Sequence, residues 1–294
     1  MVKMRNWLIV ATFFCLWLST QLPESIQNSL AYFLILTFGV LHGANDIQLI
    51  NKVKKDKQKK NNYLYMYVAA IVGVSLLFLV SAQWAFYFFL IISAYHFGEQ
   101  HFAQKIKVKS QFDWALFVSY GSLILFMLFY KKINKVEMII VEFTGNNTLN
   151  IELIFWVSAG LFFGVITAYA ILKKIQLNWF AEVLLLGVLY VVFEVASLSW
   201  AFAIYFIFWH SFPSIKDQLY LLYGDYNKKT WLSYLKSSWL YYSISIFGLL
   251  ILYLVFKERT DYFITLILYL LAAISFPHIV LMSKLENLKA NSES

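Results

Sequence analysis

Ten hydrophobic runs of spanning or near-spanning length, separated by short polar stretches, dictate what this chain can fold into; they lie at about 6–20, 29–50, 63–82, 84–103, 112–130, 151–172, 179–197, 200–214, 237–256 and 262–283. A helix crosses the hydrocarbon core of a bilayer with about 20 apolar residues. The expectation is an all-α fold: a polytopic transmembrane helix bundle of about 8–10 spans, forming a single integral membrane domain over residues 1–294. The first and eighth runs are short, so a bilayer of ordinary thickness requires local adjustment or a re-entrant arrangement there. The first run also follows Lys3 and Arg5 as a signal peptide does, yet no small-residue cleavage site follows at Leu18-Ser19-Thr20-Gln21. It reads as an anchor that stays.

Composition removes the competing classes. Hydrophobic residues make up 61% of the chain and charged ones 14%, and the mean hydropathy is +0.66, outside the usage of a soluble domain. The single cysteine, Cys15, sits in the first run and excludes an internal disulfide framework or a thiolate metal cluster. A net charge of +8 can indicate nucleic acid, but the lysines fall between the apolar runs. There they set topology and meet anionic headgroups, and no nucleic acid partner is expected. With ten spans and the N-terminus inside, the outer segments hold only Lys131, Lys132, Lys135, Lys257 and Arg259, and every other basic residue falls inside. That bias predicts a multi-pass protein of the cell membrane with a cytoplasmic N-terminus and an even number of spans. The longest connections, 131–150 and 215–236, leave no room for a water-soluble domain. The second carries Leu219, Leu222, Trp231, Leu232 and Leu235 among charges, a pattern suited to the inner surface.

Histidine is rare here and its placement is ordered. The contexts are Leu41-His42-Gly43-Ala44-Asn45-Asp46, Tyr95-His96-Phe97-Gly98-Glu99-Gln100-His101, Trp209-His210-Ser211-Phe212-Pro213-Ser214 and Phe276-Pro277-His278-Ile279. Each belongs to an even-numbered run, so four helices of one orientation carry them. His42, His96, His210 and His278 precede Lys52, Lys105, Lys216 and Lys284 by 10, 9, 6 and 6 residues. At the helical rise per residue they form a layer about 6 Å deep in the cytoplasmic half of the membrane. Polar groups at this depth usually face a bundle interior and carry function. One such histidine is as readily a helix-to-helix hydrogen bond as a ligand, whereas four at one depth favour a metal. Neutral imidazoles suit iron, zinc, copper or nickel, and four with open positions leave room for dioxygen or substrate.

Asp46 follows His42 by four residues and Glu99 follows His96 by three, spacings that place each carboxylate on its histidine's helix face. Both fit as groups that hold an imidazole Nδ1 proton; direct ligation, or solvation near the inner interface, are the alternatives. His101 lies five residues past His96, about 140° around the helix, and is the weakest ligand candidate. Tyr95, Phe97 and Trp209 flank histidines and suit either an apolar tunnel or ordinary packing. Gly43 and Gly98 permit close helix approach, and Pro213 and Pro277 bend their helices near His210 and His278. No phosphate loop, serine triad or dinucleotide fingerprint occurs.

The blocks HGANDIQLI at 42–50, SAYHFGEQHF at 93–102, YFIFWHSFPSIKDQ at 205–218 and SFPHIVLM at 275–282 resemble the Brp/Blh family of bacterial and archaeal membrane β-carotene 15,15'-dioxygenases. The blocks fall in order across most of the chain, and their combination is specific where each alone is weak. The resemblance implies an all-helical membrane enzyme whose histidines hold non-haem Fe(2+). It also implies cleavage of the central double bond of β-carotene by O2 into two all-trans-retinal molecules, with membrane lipid as surroundings and a functional link to a rhodopsin. Residue by residue, His42, His96, His210 and His278 become the ligands, and Asp46 and Glu99 match acidic positions. Ser214 departs from the pattern: many members carry a second histidine there, and a ligand scheme using it does not apply to this chain. Physical chemistry agrees on substrate class, since a carotenoid is a hydrocarbon rod about as long as the bilayer core is thick.

Two other classes compete. A membrane di-iron hydroxylase or desaturase also clusters histidines near the cytoplasmic face, but five histidines fall short of its usual eight or so. A proton- or metal-translocating transporter uses His, Asp and Glu too, but spreads polar residues over several depths, and here they gather at one.

Overall fold

The computed structural model describes residues 2–53, 57–146, 149–256 and 272–284. It is 88% helical with no strand among the described residues, as the apolar runs require of a chain in lipid. In order the helices are α1 (Val2–Gln21), α2 (Glu24–Leu34), α3 (Val40–Gly43), α4 (Asp46–Val53), α5 (Lys57–Val80), α6 (Ala82–Phe102), α7 (Asp113–Lys131) and α8 (Ile133–Thr144). They continue as α9 (Ile151–Ile171), α10 (Trp179–Val195), α11 (Leu198–Ile204), α12 (Phe212–Tyr223), α13 (Lys228–Phe256) and α14 over 272–284. Five stretches are long and apolar enough to cross a membrane: Glu24–Lys52, Asn61–Val80, Asp113–Lys131, Ile151–Ile171 and Leu198–Tyr223. The runs expected at 6–20, 84–103, 179–197 and 237–256 fall in α1, α6, α10 and α13. The run expected at 262–283 lies outside the described residues as far as 271.

The eighth run is not short. It belongs to the 26-residue stretch Leu198–Tyr223, because Lys216, Asp217 and Gln218, which read as the end of the run, continue the helix as α12. Residues 215–236 accordingly form the end of α12, a turn at Gly224 with φ of 78°, and the start of α13. Side-chain caps start three helices where the sequence supplies Asn or Ser. Asn150 accepts from the Leu153 amide, Asn178 from Ala181 and Ser197 from Trp200. Two spans are interrupted by π-helical turns, Ile35–Gly39 between α2 and α3 and Tyr205–Ser211 between α11 and α12. Such turns widen the helix and are frequent at functional sites.

The chain divides into two compact units. The first comprises residues up to Ile35, Ser93–Ile139 and Asn147–Ser211. Within it α7 lies along α9, and α11 packs on α2. Gln27 ties α1, α2 and α11 together, donating to the Ser19 carbonyl at 2.9 Å and accepting from the Ser197 amide at 2.8 Å. The α6–α7 crossing leaves no room for a side chain at two positions. A Cβ added at Gly98 falls 1.9 Å from the Phe117 carbonyl oxygen, and one at Gly121 falls 1.8 Å from that of Ala94. Only glycine fits there.

The second unit comprises Leu36–Ile92, Ile140–Asn146 and the residues from Phe212 on. Here α4 packs on α5 and α12, and α13 on α3 and α12. One apolar cluster joins Leu49, Ile50, Leu281 and Met282; another joins Leu41, Ile215, Leu219 and Tyr234.

Candidate functional site

In the second unit the π turn Ile35–Gly39 delivers His42 on α3, and α14 delivers His278. Both are buried, their ring centroids 4.8 Å apart and their planes at 88°. The His42 Nδ1–H donates to the Gly39 carbonyl at 2.5 Å. A carbonyl can only accept, so the proton is on Nδ1 and the lone pair of the neutral ring is on Nε2. In His278 the same ring nitrogen is the donor, to a different acceptor. Its Nδ1–H lies 2.8 Å and 3.0 Å from the two Asp46 carboxylate oxygens, which again leaves Nε2 as the basic nitrogen.

Asp46 is 2% exposed and also accepts from the Tyr67 hydroxyl at 2.8 Å. Its imidazole partner thus comes from α14, 232 residues further on. Continuous helix would have set Asp46 one turn below His42. The helix instead ends at Gly43 and restarts at Asp46, and the two intervening residues turn the carboxylate elsewhere. A Cβ at Gly43 meets no described atom within 4 Å, so this glycine brings no helix close.

Behind His42 lies a polar buttress that the sequence did not disclose. Gln218 on α12 donates from Nε2 to the His42 carbonyl at 2.7 Å and accepts at Oε1 from the Tyr234 hydroxyl at 2.8 Å. Asn45 donates to the Tyr234 carbonyl at 3.3 Å and accepts from Ser237 at 2.8 Å. Gln218 is 1% exposed and Tyr234 fully buried, so these bonds form in a low-dielectric interior where an unmet polar group is expensive.

The first unit holds a second imidazole pair. His96 on α6 and His210 in the π turn Tyr205–Ser211 are buried, with ring centroids 4.9 Å apart and planes at 78°. Gln100 donates to the His210 carbonyl at 2.8 Å, repeating the amide-to-histidine bond of Gln218. Phe97 meets the His210 ring edge-on at 4.8 Å, and Phe206 stacks on it at 5.2 Å and 23°. Glu99 accepts from the Tyr95 hydroxyl at 2.9 Å, and the Trp209 indole N–H donates to Thr12 on α1 at 3.0 Å.

His101 is turned toward α7 and α10. Its ring stacks on Tyr120 with centroids 4.5 Å apart, and its Nε2 lies 2.7 Å from Glu182 and 2.8 Å from the Lys105 ammonium. Lys105 and Glu182 are themselves paired at 2.8 Å. Burial holds the Lys105 ammonium below the usual lysine range against the pull of Glu182. The expected departure at Ser214 is buried too, its hydroxyl accepting from Gln218 at 3.3 Å.

Among the described residues no group of three or more His, Cys, Asp or Glu side chains stands in a metal-holding arrangement; the second unit pairs His42 with His278 and the first pairs His96 with His210, while His101 stacks on Tyr120. The chemistry of the donors nonetheless suits a borderline divalent metal. The Nδ1 nitrogens of His42 and His278 are tied back to the Gly39 carbonyl and the Asp46 carboxylate, the usual preparation of an Nε2 ligand.

Residues 33–286 match the family model described as beta-carotene 15,15'-dioxygenase, a stretch that contains both imidazole pairs, Asp46 and the two glutamines. No match was found among curated proteins or among solved structures.

Proposed function

The chain belongs to the beta-carotene 15,15'-dioxygenase family, and on that premise we propose that it is an Fe(2+)-dependent membrane oxygenase cleaving the central 15,15' double bond of β-carotene. Its co-substrate is O2 and its product is two molecules of all-trans-retinal. One oxygen atom ends on each carbon of the broken bond, so no external reductant is consumed. The observation that carries this reading is the preparation of the second unit's imidazoles: the Gly39 carbonyl and the Asp46 carboxylate fix the Nδ1 protons and set both lone pairs on Nε2.

His42, His96, His210 and His278 are the proposed ligands. When bound, the iron supplies O2 activation. The protein's own work is orientation and exclusion of water. Asp46, braced by Tyr67, aims the His278 ring; Gln218 and Gln100 fix the backbone at His42 and His210. The aromatic rings of Phe97 and Phe206 close over His210 and keep its surroundings apolar. The asymmetry of basic residues supports a cell-membrane protein with a cytoplasmic N-terminus, placed to draw its substrate from lipid and pass retinal to a rhodopsin. His101, held by Glu182 and Lys105, is assigned to the packing of α6 on α10.

The test is expression in a β-carotene-accumulating bacterium, followed by pigment extraction and chromatography, beside a His96→Ala control. Retinal formed only with the intact protein is expected. Unchanged β-carotene in membranes holding folded, iron-loaded protein refutes the assignment.

A further inference from the structure

At one end of the first unit a cation stands without a counter-charge. The Nε of Arg5, near the start of α1, is buried with no hydrogen-bond partner, and none of the ion pairs among the described residues includes Arg5. A guanidinium stays charged and presents five N–H donors, so leaving it unmet where water is partly excluded is expensive.

The nearest charge is a second cation. α1 packs on α10, and besides burial it is the positive charge of Arg5 that holds the Lys105 ammonium down, which places the two within electrostatic reach. Lys105 pairs with Glu182 of α10 at 2.8 Å, and Glu182 also meets His101 at 2.7 Å. Two cations therefore face one carboxylate, and an imidazole supplies no negative charge. One positive charge is left unanswered. The neighbouring connections add to the excess. Ile106 and Ile175 form an antiparallel bridge, the Lys107 amide donates to the Lys174 carbonyl at 2.8 Å, and the Gln176 amide donates to the Lys105 carbonyl at 2.9 Å. These bonds fix the backbone of Lys105 and bring together two segments, 103–112 and 172–178, that hold Lys107, Lys109, Lys173 and Lys174 and no acidic residue.

The cluster is open to the outside. Arg5 is half-buried, the Lys105 side chain is 29% exposed, and Lys107 and Gln176 beside it are exposed. Trp179 and Phe180, in the first turn of α10 just ahead of Glu182, are exposed apolar rings of the kind that sits at a membrane interface.

We infer that Arg5 and Lys105 hold the phosphate of an anionic membrane lipid where α1, α6 and α10 meet. A phosphodiester carries one negative charge, the amount the cluster leaves unanswered. Its oxygens accept from the guanidinium fork of Arg5 and from the ammonium N–H of Lys105 that remains beyond those directed at Glu182 and His101. Basic pockets between membrane helices on the cytoplasmic side bind headgroups in this way. A headgroup with its own ammonium brings a positive charge back to the site, so glycerol is favoured over choline. The leaflet follows from the orientation proposed above; the site does not depend on the carotenoid-cleaving reading.

The experiment uses delipidated full-length protein in a neutral detergent, titrated with phosphatidylglycerol, phosphatidylcholine or inorganic phosphate. Native mass spectrometry reads bound lipid and thermal unfolding reads the stabilisation it brings. The variants are Arg5→Gln, Arg5→Lys and Lys229→Gln, the last an exposed lysine of the second unit that controls for net charge. Arg5→Gln is expected to weaken phosphatidylglycerol binding about tenfold, Arg5→Lys by less, and Lys229→Gln to leave it unchanged. Because Arg5 has no protein partner to lose, lipid-free Arg5→Gln is expected to melt no lower than lipid-free wild type, and only the gain from lipid shrinks. Phosphatidylcholine that binds as tightly as phosphatidylglycerol, or Arg5→Gln that binds phosphatidylglycerol like the Lys229→Gln control, overturns the site. Inorganic phosphate that stabilises the protein as far as the lipid does overturns the headgroup in favour of a soluble anion. Lipid-free Arg5→Gln that melts well below wild type makes Arg5 a packing residue and overturns the inference as well.

Discussion

Replacing Asp46 by Asn leaves shape nearly unchanged and alters one charge and one donor pattern. The carboxylate now accepts from two donors, the His278 Nδ1–H at 2.8 Å and the Tyr67 hydroxyl at 2.8 Å, in a site where Asp46 is 2% exposed. Asparagine offers one accepting oxygen and a donating NH2. If the oxygen keeps Tyr67, the NH2 faces His278 and favours the tautomer with its proton on Nε2, which blocks the lone pair that a metal needs. If it keeps His278, the NH2 faces Tyr67, whose hydroxyl must turn to accept from it, and the hydroxyl proton loses the acceptor it has in Asp46. Loss of such an outer partner weakens metal affinity about 10- to 100-fold, or about 1.4–2.8 kcal/mol. An unmet buried donor removes a further ~1–3 kcal/mol of folding stability. Anaerobic Fe(II) titration of iron-depleted protein reads the first quantity and thermal unfolding of the iron-free protein reads the second. Tyr67→Phe is the companion variant: it removes one donor and leaves His278 held, so its loss in iron affinity is expected to stay below that of Asp46→Asn. Asp46→Asn protein that binds Fe(II) like wild type, or a Tyr67→Phe loss as large as its own, would refute the assignment of Asp46 to His278.

Three further outcomes follow from the geometry. Gly98→Ala drives a Cβ to 1.9 Å from the Phe117 carbonyl oxygen and is expected to lower stability by about 1–3 kcal/mol by forcing α6 from α7, whereas Gly43→Ala, meeting no described atom, stays near wild type in the same thermal melt. Gln218→Leu removes the amide that donates to the His42 carbonyl and the oxygen that accepts from the Tyr234 hydroxyl, leaving that hydroxyl its longer bond to the Leu41 carbonyl at 3.3 Å, with an expected loss of ~1–3 kcal/mol in chemical denaturation. His101→Ala disturbs the Glu182–Lys105 pair and is expected to lower the melting temperature while bound iron, measured by mass spectrometry, stays at the wild-type ratio; iron lost to the extent seen in His96→Ala would make His101 a ligand.

The helices were legible because lipid leaves so little choice: an apolar run of sufficient length must be helical. The interruptions were not. The run 29–50 reads as one helix, yet it contains the π turn Ile35–Gly39 and a break at residues 44–45. No proline marks either one, and glycine or asparagine in a membrane helix is too common to mark a break. Gln218 illustrates the opposite error. Beside Lys216 and Asp217 it read as polar punctuation in a connection, whereas it is buried inside the second unit. An amide at helical distance from an intramembrane histidine has the same need of a partner as the histidine itself, but its partner, His42, lies 176 residues away, and a single sequence carries no sign of that pairing. Asp46 was visible as an intramembrane acid, and its register against His42 was the natural inference until the break at 44–45 removed it.

The interruptions in these two spans also account for the two glutamines. Each interrupted span carries phenylalanine four residues before its histidine, Phe38 before His42 and Phe206 before His210, and in each the wide turn lies at or just ahead of the histidine. Widening a helix to i→i+5 bonding takes carbonyls out of the regular ladder, and in a membrane interior no water meets them. A carbonyl diverted this way must find a donor inside the protein. Gly39 finds it in the imidazole of His42 and His210 in the side-chain amide of Gln100, while the His42 carbonyl, freed where α3 ends at Gly43, finds it in Gln218. A hydroxyl could have supplied one donor, but it would have had to approach almost as near as the backbone itself; glutamine reaches from another helix and braces the histidine's main chain from outside its own span. The distortion in the first unit that aims the His210 ring therefore frees the carbonyl that Gln100 meets. The orientation of His210 and its bond to Gln100 consequently depend on one turn, so a substitution that restored regular α-helix at Tyr205–Ser211 would disturb both together.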